Sequence, residues 1–257
     1  NTGLLTIAAD IATTGAFTQN GTGAVTITGP RSITTTSDAV DFLRPVTLSG
    51  SGALVNINTT VGGGTGGDIR FQGTLDATTA GANAEDLTLT AGTTGSVTFT
   101  GLVGDTARLD AMLINSANNV DANGVRAASF VQSTGQGTTT LDQGNFTTGT
   151  DEAWNTTGAT GVSITTKNIA LNHGITTTNG GAVSLLATAN GGGTLTMAAA
   201  GDIVANNDVE LTATGGISTA GDVTTNAASA PVNYNSAVTL TGNVAVNTTG
   251  GGASGSD

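Results

Sequence analysis

The 257 residues include 40 Gly, 3 Pro and no Cys, with 9% charged and 3% aromatic side chains, so neither a disulfide framework nor a thiolate metal site can be built from them. The formal charge of -12 comes from 18 acids against 6 bases, and no base follows Lys167, which argues against nucleic acid and anionic lipid as partners. No apolar stretch approaches the roughly 18 residues of a membrane span, and the acidic excess is expected to keep a large β-rich surface soluble.

In chain order, short alternating runs appear at AVTIT (Ala24 to Thr28), VNIN (Val55 to Asn58), DIRF (Asp68 to Phe71), DLTLT (Asp86 to Thr90) and SVTFT (Ser96 to Thr100). They continue at VSITT (Val162 to Thr166), AVSLL (Ala182 to Leu186) and AVTLT (Ala237 to Thr241). Each run sets its aliphatics on one face and Thr or Ser on the other, the period of a β-strand. A disordered linker has no reason to alternate in this way. Gly, Asn and Asp clusters lie between the runs, at Gly62 to Gly67, Asn179 to Gly181 and Asn190 to Gly193, and supply tight corners. Ala107 to Ala117 reads equally as a helical turn or a strand, and Asn115, Asn118, Asn119 and Asn123 are read as corner residues.

Two periods organise these strands. Val162, Val183, Val209 and Val232 are separated by 21, 26 and 23 residues, the length of a coil of two or three short strands. A longer recurrence of about 190 residues matches Leu5 to Phe17 with Leu195 to Val209, and Ala39 to Asp68 with Ala230 to Asp257. In it Val40 corresponds to Val232, Phe42 to Tyr234 and Val46 to Val238. The chain is therefore expected to be all-β: one continuous β-solenoid over residues 1–257, with coils of about 22 residues and about one and a third copies of the longer unit. The alternative is a set of tandem β-sandwich modules, against which stands the lack of a module-length period with a core Trp or tyrosine corner. An inward residue such as Val238 is expected to tolerate no charge. The chain opens without a charged and then apolar leader, so an export signal is expected upstream.

Segments such as DLTLTAGTTGSVTFTGLVG (Asp86 to Gly104), KNIALNHGITTTNGGAVSL (Lys167 to Leu185) and APVNYNSAVTLTGNVAVNT (Ala230 to Thr248) resemble repeats of the filamentous-haemagglutinin-like and autotransporter-type giant surface proteins of Gram-negative bacteria. The resemblance is one of repeat style over essentially the whole chain. It implies a right-handed parallel β-helix, exported across the outer membrane to the cell surface, that acts as a stalk, fibre or adhesive layer. It supplies no catalytic motif to carry onto these residues. The expected partners are neighbouring copies of the repeat, with lateral self-association, and a glycan or cell-surface ligand.

Catalytic and metal chemistry finds weak candidates. Asp105 with Asp110, and Asp151 with Glu152, are the nearest carboxylate pairs, and each also reads as solvated corner acids. His173, the single histidine, reads as a turn residue. GGTGGDIRF (Gly63 to Phe71) approaches a calcium-binding nonapeptide, yet Arg70 replaces its aliphatic position and one Asp supplies few of the oxygens calcium takes. No catalytic residue, metal or cofactor is expected. A flat Thr lattice of the ice-binding kind is disfavoured by unequal coil lengths. The candidate binding loop is Thr139 to Gly161, the longest stretch of weak alternation, with Phe146, Asp151, Glu152 and Trp154. Its Trp either stacks on a ligand or folds back over the coil edge.

Overall fold

A computed structural model describes residues 2–81, 83–146 and 154–250. Among them the regular elements are short strands, and no helix is long and apolar enough to cross a membrane. The strand ladders run parallel and join residues one coil apart, which excludes the antiparallel sandwich alternative and makes the chain a β-solenoid. Ala107 to Ala117 resolves as strand, within Leu109–Ser116.

Among the described residues, eight of the ten complete coils lay one short strand on each of three faces; coil 5 has only a bridge at Val103 on the first, and in coil 6 one strand covers two. The first face climbs through Val25, Val46, Leu75, Val103, Val125, Trp154, Ile175, Ile203 and Val223, each nearly or wholly buried and in register with the next. The second face climbs through Ile33, Ile57, Leu89, Ile114, Gln132, Ile164, Leu185 and Leu211. The third is a 10-stranded sheet with one strand per coil, giving ten complete coils among the described residues and the first strand of an eleventh, Val246–Asn247. Alternation produces this directly: in Val25–Thr28, Asp86–Thr90 and Val162–Thr166 every second residue is buried and the residues between them are partly exposed Thr, Ser or Asp.

Coil length varies more than the expected 22 residues. The first-face step from Leu5 to Val25 takes 20 residues, and that from Val46 to Leu75 takes 29. The strands stay in register because the extra residues loop outward at corners. Some corners tolerate only glycine: a Cβ on Gly95 would lie 2.2 Å from the carbonyl oxygen of Gly67 in the coil before. Interior corners are stacked as well. Phe42, Phe71 and Phe99 lie parallel on successive coils with ring centroids 5.3 and 5.4 Å apart.

Positions matched by the long recurrence occupy different faces. Val40 pairs along the third face and Val232 along the second, whereas Val46 lies on the first face and Val238 on the third. The recurrence is thus one of strand style, offset by a third of a coil. Val238 continues the third-face column, but in the last described coil it is exposed.

The acids have a structural use that their count did not suggest. Asp10, Asp68, Asp76, Asp86, Asp202 and Asp222 each accept a backbone N–H from the following coil, at 2.7 to 3.0 Å. Asn119 and Asn168 do the same for Thr138 and Thr194. Where the chain turns away from its neighbour, a side-chain oxygen replaces the ladder carbonyl and satisfies the donor. Every one of these clasps points in the same direction along the axis.

Candidate functional site

The solenoid is least regular in coils 5 to 7, and a groove lined by residues of coils 4 to 8 is centred there. In coil 4 the first corner carries an outward turn that includes 78–81 and 83–85, and in coils 7 and 8 it carries turns over 157–161 and 178–182. In coil 6 there is no turn: Val125–Gln132 is one eight-residue strand that runs from the first face onto the second. Its first part pairs with Trp154–Thr156 and its later part with Val162–Thr166, so a single strand feeds two faces. The local sequence, VRAASFVQ, contains no Gly, Asn, Asp or Pro to start a corner.

The missing turn leaves a groove of about 390 Å³ with Ala128 and Leu109 in its lining, together with Arg108, Asp110, Thr157 and Asn179. Arg108 spans the gap, its Nη1 donating to the Asn155 carbonyl oxygen at 3.0 Å. The Asn179 Nδ2 donates to the Thr157 carbonyl at 2.9 Å, which fixes that side chain at the rim. Burial raises the Asp110 carboxyl above its ordinary value, and the charge of Asp86 adds to the rise. Asp110 is the one carboxylate among the described lining residues, so the groove offers hydrogen-bonding groups of both kinds around a small apolar floor. The paired carboxylates of glycoside cleavage are not assembled by that set.

The predicted loop residues separate. Phe146 lies half-buried against the first face, with the Arg126 guanidinium 3.9 Å from its ring centroid. Trp154 is wholly buried: it takes a first-face column position and meets Phe130 edge-on at 4.4 Å between centroids. Its ring is therefore core, and an exposed stacking platform at this residue is ruled out. WNT (Trp154 to Thr156) pairs in register with Val125–Ala127, a placement that its own three residues, all buried, do not signal by alternation. Asp151 and Glu152 lie outside the described residues. Thr139 to Gly161 also holds more strand than its weak alternation suggested, in Thr138–Asp142 and Trp154–Thr156.

The other candidates resolve individually. Both Asp68 oxygens are engaged, one by the Arg70 guanidinium and one by the Ser96 N–H, which leaves the nonapeptide-like turn without a free carboxylate. His173 sits at a corner where its N–H bonds the Leu141 carbonyl at 3.2 Å. Asn118 and Asn119 occupy a corner, whereas Asn115 and Asn123 end strands. Sequence reasoning picked out Asp110 but missed Ala128, Thr157 and Asn179, which only coil stacking brings together. Comparison with protein-family models, curated protein sequences and solved structures gives no match.

Proposed function

We propose that the chain is a mechanical element: a rigid β-solenoid segment that builds an extracellular fibre, adhesin stalk or cell-surface layer, without catalysis. The observation that carries this is parallel pairing on three faces through ten coils, bridged at Val103 where the first face narrows to a single residue and shifted by one residue after Leu89 on the second. Coils rise about 4.8 Å each, so this segment contributes about 48 Å of axis. Tension along that axis is shared between coils by the hydrogen bonds of the ladders on three faces and, at several boundaries, by the side-chain clasps. Single weak links therefore do not set its strength. The shape serves extension and display, and neighbouring solenoids of the same repeat are its natural partners through the outward Thr and Ser faces.

Gold-conjugated antibody against this segment, applied to intact producing cells, tests the proposal by electron microscopy. Label along a continuous layer, long fibres or projecting stalks is the expected result. Label that appears only after the cells are permeabilised overturns it.

A further inference from the structure

Beyond that mechanical role, we infer that the groove of coils 4 to 8 is a binding site for a neutral, linear oligosaccharide lying along the solenoid axis. Its lining runs from Gly81 in coil 4 to Asn179 in coil 8, four coil steps or about 19 Å at the usual strand spacing. The ligand is thus long and narrow, and it crosses the strands instead of joining them.

The lining selects the chemistry. Arg108 and Asp110 bring one positive and one negative group to the same groove, so an anionic or cationic chain gains from one and is opposed by the other. A sugar hydroxyl is both donor and acceptor and suits such a mixed set. Among the described residues nothing donates to the Asp110 carboxylate, and the Asn179 amide oxygen accepts nothing, so both remain available as acceptors. Ala128 is partly accessible and, over the buried Leu109, offers the small apolar surface against which the C–H face of a sugar ring rests. The volume of about 390 Å³ falls within the usual range of roughly 300–1,000 Å³ for small-ligand sites.

An extended peptide fits less well. Peptides that bind as added strands need a free sheet edge. Here the floor backbone is already paired, the carbonyls of Ala127 and Ala128 accepting from Thr157 and Gly158 at 3.2 and 2.7 Å. What faces outward is side-chain chemistry spaced along the axis, which matches a polymer of repeating hydroxyls.

The test is isothermal titration of the purified chain with cellohexaose, chitohexaose, laminarihexaose and maltohexaose, each up to the order of 10 mM, a range that reaches weak binding. At least one is expected to bind. Ala128→Phe, which fills the floor, and Asp110→Ala, which removes the acceptor, are each expected to weaken that binding by about tenfold or more. Asn179→Gly keeps the left-handed backbone of this residue (φ 53°) and should weaken it less. Circular dichroism and the thermal midpoint of each variant separate lost binding from lost folding, and at least one floor or rim variant with an unchanged melt decides the matter. The inference is overturned if no hexasaccharide binds, or if binding survives both Ala128→Phe and Asp110→Ala in folded protein. Either failure leaves the immunogold result untouched.

Discussion

Coil 9, over residues 203–219, and coil 6, over residues 125–142, enclose the same three-sided cross-section by different means. Coil 9 places Ile203, Val209, Leu211 and Ile217 inside and turns its corners with Asn206, Asp208 and Gly215 to Gly216. Coil 6 omits a corner, lays one strand over two faces, and puts Phe130, Gln132 and Thr139 in the interior. The Thr139 hydroxyl bonds the Gln132 amide oxygen at 2.7 Å, while Gln132 Nε2, Trp154 Nε1 and Thr156 Oγ1 are buried with no protein partner among the described residues. Regular coils thus combine apolar stacking with interior hydroxyls that are paired, as Thr219 is with the Gly221 carbonyl oxygen, whereas the middle trades some of that pairing for an altered outline. The groove is the outcome of that trade.

A charge placed in the regular column should produce the greatest damage. Leu211→Asp buries an unpaired carboxylate between Leu185 and Tyr234 and should abolish cooperative folding, as seen by loss of the β circular dichroism signal at neutral pH. Next come the rings. Phe71→Ala opens a gap in the Phe42–Phe71–Phe99 stack and should cost about 3–5 kcal/mol in denaturant unfolding. Trp154→Phe should cost under about 1.5 kcal/mol, because it removes the orphaned N–H along with some volume. Equal costs at the two sites would erase the distinction between stacked and irregular coils.

The interior polar pair allows a finer comparison. Thr139→Val leaves the Gln132 amide wholly unpaired and should cost about 1–3 kcal/mol, while Thr139→Val with Gln132→Leu should recover most of that loss. A double variant no more stable than the single one would mean that the pair contributes nothing beyond its shape.

Acid should act at another irregular place, the coil 4 turn that Glu85 holds. Burial raises the Glu85 carboxyl, but hydrogen bonds from the Thr78 hydroxyl and from the Thr79, Thr78 and Ser51 N–H groups outweigh it, leaving the pKa below its ordinary value. A lowered folded pKa gives stability that is full above the unfolded value of about 4.3 and is lost as pH falls through the folded one. Protection from hydrogen exchange at residues 78–81 and 83–85, relative to the unfolded chain at the same pH, should therefore fall below about pH 4, and Glu85→Gln should remove that dependence.

All eight alternating runs read from the sequence are strands, because an inward aliphatic beside an outward Thr is a purely local signal. The three-residue strands Ile203–Ala205 and Val223–Thr225 lack the apolar-in, polar-out pattern that marks the equally short Ile69–Phe71 and Val97–Phe99, since Val204 is partly exposed and Thr225 is buried. Trp154 belongs to that group, which is why its place in the column was hidden. The groove was harder still, since its cause is a corner that is absent and its lining comes from coils 4 to 8. Asp110 was visible as a carboxylate, whereas Ala128 carries no chemistry that would single it out.

The smallest effect concerns the clasps, which occur in regular and irregular coils alike. Asp222 Oδ1 accepts the Ala245 N–H at 2.7 Å, and the Asp222 N–H in turn donates to Asp202 Oδ1 at 2.8 Å, so the two acids form a relay over three coils. If the oxygen matters and the charge does not, Asp222→Asn should shift stability by less than about 0.5 kcal/mol, since its amide oxygen can still accept. Asp222→Ala leaves the Ala245 N–H without that acceptor and should cost about 1 kcal/mol, with faster exchange at that amide. Equal losses for Asn and Ala would instead assign the role to charge. In that case the acidic excess would act through the field of the whole surface, and raising the salt concentration should change the losses of both variants together.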